Sequence, residues 1–441
     1  MKRIIVAGAG HGGLAAAALL SRNGFDVTVY EKNSRTELGY DWTDIFAPGA
    51  LKVACVPMPP KDKFSYKENM TFYSPNCKKG LVQNVPEDQL EIKMERKDIY
   101  DLLVSNAESA GVKFVFDCKV KKPLLLGNRV VGIETENGDV YADLVIDACG
   151  IDSPVRKNLP QYIPIEKEDG VFSRFYVYRA FYNKACEEPA KDVYKVYMIP
   201  QGKLGIGWVA SEEDYTDVLI GRFEPLSDEE IETSLEAMKK ENPRLGDKIV
   251  RGGQRVTIPV RQPLGVLVAD GYAAIGDSAF MTVPVIGSGI ANSLKAARIL
   301  ADAVIADKDG AFSLESLWKY QTEFYKKLGS GLAGLACVKL LLAKLKGSEL
   351  DYMFETGVLT ADDLTIGADS TSLTSILSGV SVSDLINKVK NVVKDKELLK
   401  KILQTGERMV AATAVVAAMP KKPTASSVAR WAKQYNNCFK I

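Results

Sequence analysis

The spacing of apolar and polar positions changes several times along the chain, and each change predicts an element. Met1 to Val6 reads as a short strand, basic and then apolar. Past a glycine turn, the small apolar residues Ala15 to Leu20 predict a helix packed closely on a sheet. A second apolar strand, Val27-Thr28-Val29-Tyr30, stops at Glu31. Glu95-Arg96-Lys97-Asp98 opens a helix with apolar positions at Ile99, Leu102, Leu103 and Ala107. From Val112 to Cys149 short β-rich runs alternate with turns: Lys113 to Phe116, Arg129 to Ile133 and Asp139 to Tyr141, with Asn137-Gly138 as a hairpin signal. These predict a three-stranded meander leading into the very apolar strand Leu144 to Ala148. Four more strand-like runs follow: Phe172 to Tyr182, Val193 to Ile199, Leu204 to Trp208 and Asp217 to Phe223. A long amphipathic helix runs from Ile290 to about Ala306, and beyond Ala311 the pattern is helical, including the apolar stretch Leu328 to Leu345.

The turn after the first strand, Gly8-Ala9-Gly10-His11-Gly12-Gly13, has the GxGxxG spacing, and Glu31 ends the next strand. Each part has a mechanical reason. The first glycine permits the tight turn, the second lets backbone approach a pyrophosphate, and the third lets helix pack on strand. The free N–H groups and dipole of a helix N-terminus favour the diphosphate, and a carboxylate at the strand tip suits a ribose diol. The motif points to dinucleotide binding without separating FAD from NAD. Further on, a strand ending in Gly276-Asp277 offers a second carboxylate. The turn Pro284-Val285-Ile286-Gly287-Ser288-Gly289 presents bare N–H groups ahead of the helix at Ile290.

Composition narrows the classes. The chain has 441 residues, enough for two or three domains, and a formal charge of +1, which gives no global attraction to nucleic acid. Seven cysteines lie without CxxC spacing and no apolar signal segment precedes the first strand, so the expected setting is a reducing cytoplasm. The single histidine, His11, sits in the glycine turn, which rules out a Ser-His-Asp triad and a multi-histidine metal site; no metal is expected.

Three motifs in order make the chain resemble the FAD-dependent oxidoreductases of the para-hydroxybenzoate hydroxylase fold, and within them the geranylgeranyl reductase and FixC-like branch. They are Gly8/Gly10/Gly13 with Glu31, the stretch Asp147-Ala148-Cys149-Gly150-Ile151-Asp152-Ser153-Pro154-Val155-Arg156, and Gly276-Asp277 with Pro284 to Ile290. The resemblance implies FAD as cofactor, held by Gly8, Gly10, Gly12, Gly13, Glu31, Lys32, Arg96, Gly276, Asp277, Pro284, Gly287, Ser288, Gly289 and Ile290. It implies an α/β fold with a discontinuous Rossmann-like FAD-binding domain from residues 1–75, 95–160 and 263–310. A substrate domain with an antiparallel sheet would come from 76–94 and 161–262, and a helical C-terminal region from 311–441. The sheet would cover the flavin face, with substrate between sheet and ring.

Other residues carry two readings each. In Tyr40-Asp41-Trp42-Thr43-Asp44, Asp41 and Trp42 are candidates for the substrate side and proton delivery, set against an ordinary solvated loop with an anchoring Trp. Trp208 lines the cavity or is plain core. Cys55 reads as an unreactive thiol, since its neighbourhood lacks the cysteine motif found near substrate in some of the reductase branch. Lys339 and Lys344 and several glycines interrupt the 328–345 stretch, which reads as a buried or substrate-facing helix and not a transmembrane span; peripheral membrane contact stays open. Asp362-Asp363 and the Ser/Thr-rich Asp369 to Ser383 read as solvated connections.

No second GxGxxG with a strand–helix frame exists, so electrons arrive by transient NAD(P)H docking or from a protein carrier such as a ferredoxin. The expected activity is reduction of carbon–carbon double bonds in an apolar, isoprenoid-like small molecule. A flavin monooxygenase and a FixC-like electron-transfer flavoprotein are the alternatives. The WxWxIP signature of flavin halogenases is absent, Trp208 standing alone in its region.

Overall fold

In the computed structural model, which describes residues 1–187, 193–364, 388 and 390–440, a six-stranded sheet runs in the order Val268–Ala269, Tyr272–Ala274, Leu144–Asp147, Arg3–Ala7, Asp26–Tyr30, Lys113–Val115. All neighbours are parallel except the first pair. Ala7 lies opposite both Asp147 and Tyr30, and Asp147 opposite Ala274. The loops that follow these four residues therefore gather at one carboxyl edge, where open parallel sheets bind ligands. The central strands Arg3–Ala7 and Leu144–Asp147 are covered on both faces and are continuous buried runs through Ile4, Ile5, Val6, Val145 and Ile146, while Asp26–Tyr30 alternates, burying Val27 and Val29. The helices His11–Arg22 and Ile290–Ala306 pack against each other, with Ala15 to Ala18 allowing close approach.

A seven-stranded sheet stands against this edge in the order Leu245–Pro259, Arg174–Lys184, Tyr215–Arg222, Gly205–Ser211, Tyr194–Met198, Met70–Tyr73, Gly80–Val82. Its four central members match the runs expected from the sequence to within a few residues. Two expectations are corrected. Lys113–Val115 belongs to the parallel sheet, beside Asp26–Tyr30, while the meander takes Val120–Leu126 as its first strand. Met70–Tyr73 pairs with Tyr194–Met198, so this sheet begins before residue 75, earlier than the expected boundary. Its side chains account for this: Met70 packs with Tyr194, Val196 and Ala210 in the sheet's own core.

The C-terminal region is helical: Leu314–Phe324, a π turn at Tyr325–Gly329, Ser330–Leu342, Gly347–Thr356, Ala361–Leu364, Lys396–Ala417 and Ala425–Asn437. Tyr325 ties this layer to the parallel-sheet body, donating to the Leu264 carbonyl at 2.6 Å and meeting Trp431 and Tyr435 edge-on. Leu332, Ala333, Ala336 and Cys337 are buried, as expected for a core helix. Among the described residues no single helix is long and apolar enough to cross a membrane. The Asp369 to Ser383 stretch lies outside the described residues.

Candidate functional site

The glycines of the first turn are demanded by one neighbour. Gly8 has φ +86°, and a Cβ there would meet the Ala148 carbonyl oxygen at 2.7 Å. At Gly10 it would meet the same oxygen at 2.9 Å, and at Gly13 the Ala148 Cβ at 2.6 Å. No real side chain tolerates such contacts, so the turn lies on the end of the Leu144–Asp147 strand and leaves a shallow backbone cradle. Glu31, 8% exposed, accepts from the Ala9 N–H at 2.8 Å and the Asn33 N–H at 2.9 Å. Its carboxylate thus braces the turn as well as facing the cavity.

The second motif supplies the brace behind the cradle. Asp147 is fully buried and accepts from Ser153 Oγ at 2.5 Å, Tyr272 OH at 2.9 Å, Ser278 Oγ at 3.0 Å and the Cys149 N–H at 3.1 Å. Ser278 Oγ also accepts from the Gly150 N–H at 2.9 Å, so one carboxylate welds the second motif to the third. Arg156 is buried below it. It donates to the carbonyls of Ile151, Glu166 and Lys167 and lies 4.8 Å from the Phe280 ring. Its part is to fix the loop.

In the third motif Gly276 and Gly287 have φ +67° and +74°. Burial pushes the Asp277 carboxyl above its ordinary value, against the Thr282 hydroxyl that donates to it at 3.1 Å. A Cβ at Gly289 would come within 3.0 Å of Thr282 Oγ1. Gly289 caps Ile290–Ala306 without a side chain, leaving the first-turn N–H groups to a ligand. Gly287, Ser288, Gly289 and Ile290 line the cavity, with Pro284 buried behind them. Gly8, Gly10, Gly12, Glu31, Lys32, Arg96, Gly276 and Asp277 line it too, while Gly13 packs underneath. A bare glycine cradle, two carboxylates and two helix N-termini on one cavity are a donor set that fits FAD.

Arg96 forms a bidentate pair with Asp44, both contacts 2.6 Å, below the Tyr40 ring at 4.4 Å. Burial raises Asp44, but the charge and hydrogen bonds of Arg96 override it and hold the carboxyl below the ordinary carboxylate range. His11 stacks on Tyr100 with centroids 4.7 Å apart, and burial, helped by Arg96, lowers it to about 4; it is neutral at pH 7.

Of the substrate-side candidates, Trp42 and Trp208 come together and Asp41 does not join them. Asp41 is half exposed, accepts from the Gly252 N–H at 3.0 Å, and is absent from the cavity wall, which Asp44 joins instead. Trp42 is buried between the guanidinium carbons of Arg96 and Arg179, 5.9 and 5.4 Å from its ring. Trp208 stands 5.0 Å from the same Arg179. Arg179 is held by Asp217 at 2.9 and 2.6 Å and by the Thr43 carbonyl and hydroxyl, both at 2.6 Å. Sequence reasoning missed this buried pair. Its only signal is a basic residue, Arg179, and an acidic one, Asp217, in the interior of two strands whose other charged residues stand at their ends.

From the two tryptophans the cavity, about 1020 Å³ in all, continues as an apolar arm. Phe72, Val196, Met198, Ile206 and Leu219 wall it from the sheet. Leu335, Val338 and Leu342, on one face of Ser330–Leu342, wall it from the helices, with Leu350, Val358 and Leu359 beyond. The far end is polar. Lys67 pairs with Glu91 at 3.2 Å, Gln83 donates to the Leu364 carbonyl at 2.6 Å, and Asp363 pairs with Lys388 at 2.5 Å. The solvated reading of Asp362-Asp363 therefore holds for the exposed Asp362 and is corrected for Asp363, which lines the cavity because Lys388 and Thr360 hold it there. Cys55 is exposed and lies outside this cavity.

Comparison with known proteins agrees with this geometry. Residues 6–56 match the family model for an NAD(P)-binding Rossmann-like domain and residues 97–302 that for an FAD dependent oxidoreductase. A digeranylgeranylglycerophospholipid reductase of Sulfolobus acidocaldarius is 23% identical over 98% of this chain and 96% of its own. The crystal structure of a geranylgeranyl bacteriochlorophyll reductase-like protein from Thermoplasma acidophilum superposes with a TM-score of 0.73 at 18% identity, covering 90% of this chain and 99% of that one. PqsL, a probable FAD-dependent monooxygenase from Pseudomonas aeruginosa, has the same fold at a TM-score of 0.60 and 20% identity, over 80% of this chain and all of the other.

Proposed function

We propose that this chain, an FAD-dependent oxidoreductase, reduces carbon–carbon double bonds of an isoprenoid-like lipid. The observation that supports the reading is the continuity of the cavity: the glycine cradle opens past Trp42 and Trp208 directly into an arm walled by aliphatic side chains. Burying a long hydrocarbon there gains roughly 25 cal/mol for each Å² of apolar surface removed from water.

Gly8 to Gly13, Glu31, Lys32, Gly276, Asp277 and Gly287 to Ile290 would hold FAD, whose reduced form supplies hydride when bound. The chain's own residues position and exclude. Arg179, locked by Asp217 and Thr43, fixes both tryptophans at the junction of cradle and arm. The aliphatic arm keeps water away from the reacting bond. His11, neutral because it is buried, adds no charge beside the cradle. Reducing equivalents come from NAD(P)H docking transiently on the cofactor segments or from a carrier such as a ferredoxin, and the setting is cytoplasmic.

The test is anaerobic addition of an unsaturated isoprenoid lipid to the chemically reduced protein, followed by flavin absorbance and mass spectrometry of the lipid. Reoxidation with a gain of two hydrogens per double bond supports the reading. No reoxidation under argon, with oxygenated product on admitting air, overturns it in favour of a monooxygenase. Supplying NADPH or reduced ferredoxin in turn identifies the donor.

A further inference from the structure

Among the described residues the outward stripe of the helix Lys396–Ala417 has no partner, and its composition says what covers it. Positions 396, 400, 403, 407, 410, 414 and 417 recur at helical spacing along one face, and all are exposed. They read Lys396, Lys400, Leu403, Glu407, Val410, Ala414 and Ala417, with Lys421 and Lys422 directly after the helix. Leu403 is 58% and Val410 70% exposed, two large aliphatic side chains on one face of a helix whose opposite face buries Leu398, Thr405 and Ala412. That other face is occupied: Leu398 is buried against Leu350, Phe354 and Val358, and the helix lies along Ser330–Leu342. Between the stripe and the apolar arm lie this helix and Ser330–Leu342 behind it, whose Leu335, Val338 and Leu342 wall the arm.

Charge is as one-sided as the apolar pattern. From residue 408 to 440 there are six basic residues, Arg408, Lys421, Lys422, Arg430, Lys433 and Lys440, and no Asp or Glu, in a chain whose net charge is only +1. Five of the six, all but Arg408, are exposed. None of these five pairs with a carboxylate among the described residues. On the stripe itself Glu407 is the one acid, with Glu397 exposed beside its start.

We propose that this face docks on an anionic lipid bilayer, Leu403 and Val410 entering the interface while the flanking lysines meet the headgroups. An amphipathic surface binds such a membrane through buried apolar area plus attraction of basic residues to anionic lipid. A second copy of the chain fits worse. In either orientation the lysine-bearing ends of two stripes would face each other. Two large aliphatic side chains also fall far short of the roughly 800 Å² per partner of a stable dimer. A nucleic acid would leave Leu403 and Val410 without a role. The purpose assigned to the docking, bringing the helical wall of the arm next to a lipid substrate, rests on the reductase reading; the docking itself does not.

The experiment is co-sedimentation of the full-length, FAD-loaded protein with large vesicles of phosphatidylcholine alone or mixed with phosphatidylglycerol. Wild type is expected to sediment with the mixed vesicles and not with phosphatidylcholine alone. Charge reversal in K421E/K422E and polar substitution in L403D/V410D should each weaken this by at least about tenfold, with flavin absorbance and melting temperature unchanged. Absence of binding to anionic vesicles overturns the proposal, as does binding that both double variants leave intact. A wild-type dimer in light scattering that L403D/V410D splits overturns it in favour of a second copy. Equally strong retention on duplex DNA, indifferent to L403D/V410D, overturns it in favour of a general polyanion site. Because binding is read without turnover, its failure leaves reduction of detergent-dispersed lipid standing, and failure of reduction leaves the vesicle result standing.

Discussion

The cradle and the arm share one cavity but are specified in different ways. The cradle is made of backbone: Gly8, Gly10 and Gly13 are held against Ala148 so tightly that even a methyl group collides. The arm is made of side chains, Phe72, Val338, Leu342 and others, contributed by strands and helices far apart in sequence. Where clearance decides, residue identity is fixed. Where only apolar area and volume decide, many residues serve, since interiors tolerate volume-conserving exchanges. The difference predicts sharp failure in one region and graded change in the other.

The largest effect should follow Gly10→Val, whose branched side chain would press on the Ala148 carbonyl; the purified protein should lack flavin absorbance near neutral pH. Retention of FAD and full activity would break the comparison at its firmest point. Next, Arg179→Met leaves Asp217 buried and unpaired, which should cost about 3–5 kcal/mol of stability. Chemical unfolding measures this, and R179M/D217L should recover most of the loss. In the arm, Val338→Phe should keep FAD bound and raise KM for the longest lipids by roughly tenfold, a loss on the order of 1.4 kcal/mol, while shorter chains are spared. Equal loss for all chain lengths would mean that the arm does not hold the chain.

A fourth effect concerns pH. His11 is lowered from 6.5 to about 4, so below 6.5 the unfolded chain takes up a proton that the native state refuses. Its contribution is therefore complete above pH 6.5 and is lost progressively as pH falls toward 4. His11→Asn should flatten that part of the stability curve, and since it is the only histidine the difference between the two curves isolates it. The smallest effect is expected for Asp41→Asn. This carboxylate sits half exposed off the cavity, and kcat/KM should stay within about twofold, well under 1 kcal/mol.

The same contrast governs what could be read from the chain. The cradle was legible because clearance leaves glycines at fixed spacing, and all three motifs fall on the carboxyl edge of one sheet. Val120–Leu126 carries a weak strand signal because Pro123 and two lysines interrupt it, so the pattern points to Lys113–Val115 as the first strand of the meander instead. The strand Leu245–Pro259 was missed entirely: it lies on the sheet's edge, half of it is exposed, and Gly252 and Gly253 at φ +74° and +81° break its alternation. The Arg179–Asp217 pair was hidden because its partners sit on neighbouring strands 38 residues apart, a juxtaposition that only register reveals. The helical tail was visible as helix, but nothing local told which of its faces walls the arm.

The weld at Asp147 has a consequence for how the molecule is made. This carboxylate joins Ser153 to Tyr272 and Ser278, and the cradle it braces takes residues from positions 8 to 290. Closing loops of such length is slow, because chain entropy is lost before any contact repays it. During synthesis the first glycine turn emerges early, yet it has no Ala148 to lie on and no Asp277 across from it until most of the chain has left the ribosome. Cofactor capture must therefore be a late event, and a growing chain truncated before the helix Ile290–Ala306 should carry the most recognisable motif in the sequence and bind nothing with it.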